Sequence, residues 1–272
     1  MLNSIVSVQW LKCNLKSKKI VVLYTTLVAK KTIIPVEIKN QQIKGARFFD
    51  LQKVFSLQDS DLPNTYPPEE QFEDACKNLG IDSNSKIVVY DSLGIYSSPR
   101  VWFLFKSMGH EEVFVLDGGL QEWVRQGCET VKKREEELIL GNFKARPGIN
   151  FMVSQEEVRE NISSQEALVI DARSGVRFRG EVSEPRKGQR SGNILGSKNL
   201  HYAALLKEGN YKSEEALKSI FAELVKGDEP LIFSCGSGIT ACILYLAADS
   251  IIENSIAVYD GSWTEWGQKV KN

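Results

Sequence analysis

The chain has 272 residues, which favours two domains over one because a typical domain has about 100–150 residues. Hydrophobic residues make up 42% of the sequence and charged residues 25%, a globular composition that excludes a disordered chain, a collagen-like repeat and a coiled coil. Lys and Arg number 34 against 35 Asp and Glu, so no basic excess indicates nucleic acid or an anionic membrane as the main partner.

The N-terminal segment predicts where in the cell the protein is located, and the cysteines predict whether it holds disulfides or metals. No apolar run approaches the ~18 residues of a membrane-spanning helix, and the N-terminal segment lacks the basic region and cleavage site of a signal peptide. We therefore expect a cytoplasmic protein without a membrane partner. The cysteines are odd in number, widely spaced and without a Cys-x-x-Cys pair, so we expect no disulfide framework, no metal and no other cofactor. They are Cys13, Cys76, Cys128, Cys235 and Cys242.

The first half of the chain alternates strand-like runs with helical patterns. Residues 18–26 and 43–49 precede the segment 86–109, in which a strand-like run leads through a glycine-containing loop into an apolar helix. An acidic-glycine turn before a Trp, at 116–123, closes this half. The stretch 130–150 combines a charge cluster with Arg-Pro-Gly and has the composition of a linker.

The second half repeats the first with an offset of ~145 residues. Residues 166–174, 194–200 and 230–249 parallel the three segments of the first half, and a second acidic-glycine turn before a Trp lies at 259–266. A helical pattern covers 213–227. We therefore predict two degenerate copies of one domain. The predicted boundaries are a first domain at 1–129, a linker at 130–150 and a second domain at 151–272.

The strand-like runs also predict the fold class. Residues 168–171, 231–234 and 256–259 are apolar except for the terminal Asp171 and Ser234, and they are separated by helical patterns, one of which begins at Ile239. Such runs are typical of a mainly parallel sheet that is buried on both faces. We predict an α/β fold with its ligand site beyond the carboxyl ends of the strands.

Cys235 lies where the sequence predicts an anion-binding loop. It directly follows the strand-like run 231–234, and an apolar helix begins a few residues later. The loop after it consists of Gly236, Ser237, Gly238, Ile239 and Thr240. Glycines let the backbone curl so that successive N–H groups converge, and the start of the helix adds partial positive charge. A cysteine there has its thiolate stabilised and its reactivity raised.

Three kinds of protein carry such a loop. A nucleotide-binding P-loop needs Gly-Lys-Ser/Thr, and no lysine follows Gly238. A cysteine-dependent phosphatase places an arginine six residues after its nucleophile, where this chain has Ala241. A sulfurtransferase, whose cysteine carries a persulfide within a ring of amides, is compatible with both positions. The alternative without chemistry is a buried cysteine before a glycine turn.

These residues resemble the active loop of the 3-mercaptopyruvate sulfurtransferases, which belong to the two-domain rhodanese-like family. The resemblance covers essentially the whole chain. In the second half it includes Asp171-Ala172-Arg173, Arg177-Phe178, Glu184-Pro185-Arg186, Gly196 and Tyr259-Asp260-Gly261-Ser262-Trp263. In the first half it includes Phe48-Phe49-Asp50, Tyr90-Asp91, Pro99-Arg100-Val101-Trp102 and Asp117-Gly118-Gly119.

The resemblance implies tandem rhodanese-like domains with a single active site. Each domain would be a mainly parallel sheet flanked by helices. The first copy has Asp91 at the position of Cys235 and is expected to be non-catalytic. The implied reaction moves the sulfane sulfur of mercaptopyruvate through a cysteine persulfide to a thiol, thioredoxin or cyanide acceptor and releases pyruvate.

The resemblance also implies roles for particular residues. Cys235 would be the nucleophile, and Ser237 would relay a proton to the departing enolate. Arg177 and Arg186 would hold the carboxylate and the keto oxygen of the donor, because a guanidinium can grip a carboxylate through two parallel hydrogen bonds. The N–H groups of residues 236–240 would stabilise the persulfide.

Four further residues carry secondary expectations. Arg173 is expected to support the loop through ion pairs, and Cys242 to be packed in the core. His110 and His201 match no catalytic position of the family, so we expect surface and loop roles for them.

The chain departs from the family in its first half. Family members have a histidine and an aspartate there, which complete a triad with the loop serine. Counting from Phe48-Phe49-Asp50 assigns Gln52 and Ser60 to those positions, and neither is a base near neutral pH. Asp59 or Asp61 could substitute only on the ground of proximity in sequence. Three alternatives therefore stay open: a thiosulfate sulfurtransferase, a persulfide-relay partner with weak activity on small donors, and a binding module that has lost its chemistry.

Overall fold

The computed structural model describes residues 2–27, 35, 38–134 and 137–268. In the first half, helices pack on both faces of a parallel sheet. Its elements are β1 (Ile5–Val6), α1 (Val8–Asn14), β2 (Ile20–Thr25), β3 (Gln41–Gln42), β4 (Arg47–Phe48), α2 (Glu69–Asn78), β5 (Lys86–Asp91), α3 (Ser98–Ser107), β6 (Val113–Leu116) and α4 (Gly119–Arg125).

The second half follows the same plan. Its elements, with the segment that joins the halves, are β7 (Val131–Lys132), β8 (Met152–Val153), α5 (Gln155–Ser164), β9 (Leu168–Asp171), α6 (Gly175–Phe178), β10 (Lys198–Asn199), a 3-10 helix (Tyr202–Leu205), β11 (Leu206–Lys207), β12 (Asn210–Tyr211), α7 (Glu214–Leu224), β13 (Leu231–Ser234), α8 (Ala241–Ile251), β14 (Ile256–Tyr259) and α9 (Ser262–Trp266).

The two five-stranded sheets have the same topology. The first has the order β1-β6-β5-β2-β4, and the second, read from its other edge, has the order β8-β14-β13-β9-β10. All pairs within both sheets are parallel. The α/β fold and the internal repeat are therefore as the sequence predicts. Central strands β5 and β13 lead directly into the loops of Asp91 and Cys235.

A high content of buried apolar residues explains why the predicted strands form where they do. The four residues of β13 and the last five of β5 are buried, as strands covered by helices on both faces must be. Within the repeated segment 194–200, only β10 is a paired strand. The helix after the cysteine begins at Ala241 rather than Ile239, because residues 236–240 form the loop itself.

The halves share an apolar core. Helices α3 and α8, which follow the two equivalent loops, pack against each other, and the rings of Phe103 and Tyr245 lie 5.1 Å apart. Trp102 also contacts Tyr245, at 6.0 Å between ring centroids. This contact brings the loop end of the first domain against the loop end of the second.

The segment 130–150 packs onto the first domain in its described part. Strand β7 pairs with β3, and Phe143 is fully buried against Phe72 and Phe105. The backbone N–H of Arg146 donates to the carbonyl of Met108 at 2.8 Å. The burial of the Phe143 ring therefore explains why this charged stretch packs against the first domain.

Candidate active site

Cys235 lies at the carboxyl end of β13, and its loop is held from below by Ser262. The Cys235 side chain is buried, with 1% of the residue exposed. Ser262 Oγ accepts from the N–H groups of Cys235 at 3.1 Å and Gly238 at 3.3 Å, and it donates to the carbonyl of Tyr259 at 2.8 Å. The acidic-glycine turn before Trp263 therefore serves to fix the cysteine loop.

Helix α9 directs the carbonyl groups of the loop away from the cysteine. Trp263 N–H donates to the Cys235 carbonyl at 3.0 Å, and Thr264 N–H donates to the Gly236 carbonyl at 2.9 Å. Within the described part of the chain, the N–H groups of Ser237 and Thr240 donate to no protein acceptor. They are therefore available to a negatively charged group at the mouth of the loop.

The first copy shows what such a loop binds. Asp91, at the position equivalent to Cys235, is 1% exposed, and its carboxylate accepts from the N–H groups of Leu93, Tyr96, Ser97 and Ser98 at 2.8–3.0 Å. The Ser98 hydroxyl adds a further bond at 2.9 Å. Gly94 and Gly238 occupy equivalent positions and both have positive φ, +88° and +72°. The two loops thus share a left-handed glycine three residues after the carboxyl group in one domain and the thiol in the other.

Arg177 and Arg186 lie beside the cysteine. A Cβ atom built on Gly236 would be 3.3 Å from Arg177 Nη2 and 4.0 Å from Arg186 Nη1. Arg177 is fixed by Glu184, which accepts from its Nε at 3.1 Å. Arg186 donates to Thr264 Oγ1 at 3.1 Å. Burial lowers the pKa of Arg186, although a guanidinium remains charged at neutral pH.

A buried ion-pair network supports these two arginines. Arg173 pairs with Asp171 at 2.6 Å and with Glu184 at 3.0 Å, and its guanidinium lies 4.4 Å from the ring of Trp263. Arg173 thus forms ion pairs, as expected from the sequence. The guanidinium groups of Arg173, Arg177 and Arg186 thus lie near two carboxylates, those of Asp171 and Glu184. This leaves one net positive charge for an anionic ligand.

Ser237 contacts a residue of the first domain that the sequence did not predict. Asn64 Nδ2 donates to Ser237 Oγ at 3.0 Å. The hydroxyl of Ser60, which sequence counting assigned to the triad, bonds to Thr65 Oγ1 at 2.7 Å instead. The intervening turn shifts the contact by four residues. Gln52 is exposed, and none of its hydrogen bonds in the described chain reaches Ser237.

A buried ion pair joins the first domain to the site. Arg100 is 1% exposed and contacts Asp260 at 2.6 Å, just beyond β14. Asp260 Oδ2 also accepts from the N–H of Tyr66 at 2.8 Å. Both partners lie in motifs that the sequence singled out, but the pattern of neither motif revealed that they would meet across the two domains.

A pair of tyrosines, one from each domain, lies near Cys235 through Tyr96. The rings of Tyr96 and Tyr202 meet edge to face at 5.9 Å. Burial raises the pKa of both hydroxyl groups, and the nearby Cys235 raises that of Tyr96 further. Both tyrosines therefore stay neutral and can act as hydrogen-bond donors at physiological pH.

The sequence also carried expectations for His110, His201 and Cys242. His110 is buried rather than on the surface as expected, with its Nε2 2.9 Å from the carbonyl of Ser85. His201 contacts the ring of Tyr202 at 4.7 Å. Cys242 is fully buried, as expected for a core residue. No group of three metal-binding side chains occurs among the residues described, and no helix in that part of the chain is long and apolar enough to cross a bilayer.

Comparison with known proteins gives consistent relationships across both halves. Residues 7–126 and 154–269 match the rhodanese-like domain. A relative from Arabidopsis thaliana, thiosulfate/3-mercaptopyruvate sulfurtransferase 2, is 36% identical over 286 aligned residues, which cover 96% of this chain and 83% of the relative. The 3-mercaptopyruvate sulfurtransferase of Escherichia coli K12 is 37% identical over 234 residues, covering 86% of this chain and 83% of the relative.

A solved structure agrees with these relatives. The crystal structure of SseA from Escherichia coli, described as that of a 3-mercaptopyruvate sulfotransferase, superposes with a TM-score of 0.84 at 32% identity. The superposition covers 96% of this chain and 98% of that chain.

Proposed function

Because this chain belongs to the rhodanese-like family through both of its domains, we propose that it is a sulfurtransferase that takes the sulfane sulfur of 3-mercaptopyruvate onto Cys235. The observation that carries the choice of donor is the pair Arg177 and Arg186, whose guanidinium groups lie beside Gly236 next to the cysteine. Two planar cations suit a planar α-keto carboxylate, which can accept two parallel hydrogen bonds. Both are reachable from solvent, since Arg177 is 26% exposed and Arg186 lies in an exposed loop.

The first step forms a persulfide. The Cys235 thiolate attacks the sulfur of mercaptopyruvate, and an S–S bond forms as the C–S bond breaks. The electron pair of the broken bond leaves on C3 as pyruvate enolate, which takes up a proton and departs as pyruvate. The outer sulfur remains on Cys235.

The loop amides stabilise the persulfide anion in the way that they hold Asp91 in the first domain. The N–H groups of Ser237 and Thr240 donate to no described protein acceptor, so they are free to donate to the outer sulfur when it becomes negatively charged. The four N–H bonds to the carboxyl oxygens of Asp91 support this assignment, because the equivalent loop there directs its donors at the side chain in the cysteine position.

The second step returns the enzyme to its starting state. A thiolate or cyanide acceptor attacks the outer sulfur, and the electron pair of the S–S bond returns to Cys235 Sγ. A small thiol, thioredoxin or cyanide would serve, because the only requirement is a nucleophile that reaches the outer sulfur. We place this reaction in the cytoplasm, where reduced thiols are abundant.

The choice of donor is tested by kinetics with two donors. Mercaptopyruvate and thiosulfate are compared at equal concentrations with cyanide as the common acceptor, and thiocyanate formation is followed. We expect a higher kcat/KM for mercaptopyruvate, because no cation stands within residues 236–240 to meet a small dianion. Equal or faster turnover of thiosulfate would identify a thiosulfate sulfurtransferase instead. Slow turnover of both donors would favour a persulfide-relay partner.

A further inference from the structure

The hydroxyl of Ser237 has both of its acceptor positions filled. Asn64 Nδ2 donates to Ser237 Oγ at 3.0 Å, and Arg186 Nη2 donates to the same oxygen at 3.4 Å. A serine oxygen has two lone pairs and one hydrogen. No described residue accepts that hydrogen, so it is left to donate to a molecule bound beside Cys235.

Asn64 is held in place by the ion pair between the domains. Its backbone has φ of +60°, and only 9% of the residue is exposed. Arg100 Nη2 donates to the Asn64 carbonyl at 3.0 Å while pairing with Asp260 at 2.6 Å. Asp260 in turn lies under the cysteine loop, since a Cβ on Gly238 would be 3.0 Å from its carbonyl oxygen. The position of Asn64 is therefore tied to the loop that it serves.

We propose that Asn64 is a positioning residue that the first domain contributes to the active site. The side-chain amide of Asn64 donates a hydrogen bond to Ser237 Oγ. The hydrogen of the Ser237 hydroxyl is thereby directed toward the departing enolate, to which it can be transferred. This inference rests on the proposed function. The Ser237 proton passes to C3 of the enolate, and the electron pair of the O–H bond stays on Ser237 Oγ. The N–H groups of Asn64 and Arg186 stabilise this oxyanion until solvent returns a proton.

Asn64 acts on Ser237 as a hydrogen-bond donor and not as a base. An asparagine amide neither gains nor loses a proton near neutral pH, so it cannot withdraw the proton of Ser237. It contributes by orienting the hydroxyl and by stabilising the charge that remains on the oxygen. Its effect should therefore fall on the chemical step and hence on kcat, with little effect on the binding of the donor.

Two variants of Asn64 separate this role from a structural one. Asn64→Gly removes the amide but accepts the positive φ of this position without strain. Asn64→Asp keeps the size of the side chain and tolerates positive φ, but an ionised carboxylate only accepts hydrogen bonds and would capture the Ser237 hydrogen. Asn64→Gly is expected to lower kcat for mercaptopyruvate about two- to tenfold, the value of one hydrogen bond, with KM changed less than about twofold. Asn64→Asp is expected to be slower than Asn64→Gly.

The experiment measures pyruvate release in single turnovers of the full-length protein with excess mercaptopyruvate. Because a carboxylate near Cys235 also affects its ionisation, the rate of Cys235 alkylation by iodoacetamide is measured across pH for each variant. The turnover rates are then compared at equal thiolate fraction. This correction isolates the effect on proton donation from the effect on the nucleophile.

The outcomes are distinguishable. Wild-type protein that releases no pyruvate contradicts the proposed function, and the inference with it. Active wild-type protein with an unaltered kcat in Asn64→Gly contradicts only the inference. A corrected rate for Asn64→Asp equal to or above that of Asn64→Gly overturns the donor role, because an acceptor would then serve Ser237 as well. A reduced kcat in Asn64→Gly, with a still lower corrected rate in Asn64→Asp, is the expected result.

Discussion

Arg186→Ala tests the grip on the donor most sharply, because Arg186 makes few other contacts. Its guanidinium bonds to Thr264 Oγ1 at 3.1 Å and to Ser237 Oγ at 3.4 Å, so the rest of the side chain is left for a ligand. A hydrogen bond to a charged group contributes about 1.5–3 kcal/mol. Removing a bidentate contact to the carboxylate should therefore lower kcat/KM for mercaptopyruvate by roughly ten- to 150-fold. Pyruvate release coupled to lactate dehydrogenase gives this ratio.

Two further variants control for charge and for acid catalysis. Lys187→Ala removes the adjacent exposed cation, which makes no hydrogen bond or ion pair among the described residues, and should change kcat/KM less than about twofold. Ser237→Ala should cost less than the ~10²–10⁴-fold typical of general acid–base assistance, because its neighbour Asn64 is not a base. A decrease in kcat/KM for Lys187→Ala as large as that for Arg186→Ala would show that Arg186 does not bind the donor specifically. A loss in Ser237→Ala well above that of Arg186→Ala would show that a base acts on Ser237.

Three other changes have defined outcomes. Gly236→Ala places a methyl group 3.3 Å from Arg177 Nη2, so the turnover of mercaptopyruvate should fall about ten- to hundredfold. Cys235 should still react with iodoacetamide. Unchanged turnover would show that the arginines do not bind the donor. Asp91→Ala leaves the loop amides of the first domain without their acceptor and should lower the free energy of unfolding in urea by about 2–4 kcal/mol, with sulfur transfer retained in the folded protein. Burial raises the pKa of Asp117 to about 6, so the folded state keeps a proton that the unfolded chain releases above about pH 4. The contribution of Asp117 to the free energy of unfolding is therefore lost as pH rises from about 4 to 6. The stability of Asp117→Asn relative to wild type should increase across that pH window and stay at the higher value above pH 6. A difference in urea midpoints that does not change with pH would contradict this.

The fold could be predicted because its signals are local and repeated. Strands β9, β13 and β14 were each visible as a short apolar run, and the match of both halves to the rhodanese-like domain confirms the predicted family and the repeat. The cysteine loop was equally visible, since glycine spacing after a buried strand predicts its backbone. The prediction of a sulfurtransferase is confirmed at the level of the relatives' names.

The contacts made across the domains could not be predicted in this way. Asn64 reaches Ser237 over 173 positions in sequence, at the end of a turn whose length a count from Phe48 does not fix. The pairing of Arg100 with Asp260 depends on how α3 packs against α8, which no periodicity specifies. The burial of His110 depends on packing against Phe105 and Phe143 in the first domain. A cytoplasmic location and thioredoxin as acceptor stay predictions.

The identity of the sulfur-carrying atom is the central claim, and intact-mass analysis tests it directly. After treatment with mercaptopyruvate and removal of excess donor, wild-type protein should gain one sulfur, about 32 Da, and lose it again on addition of cyanide. Cys235→Ser should fold normally and gain nothing, because a hydroxyl of nearly the same size is a poor nucleophile toward sulfur. One added sulfur on Cys235→Ser, released by cyanide, would place the reaction on another cysteine and contradict the account.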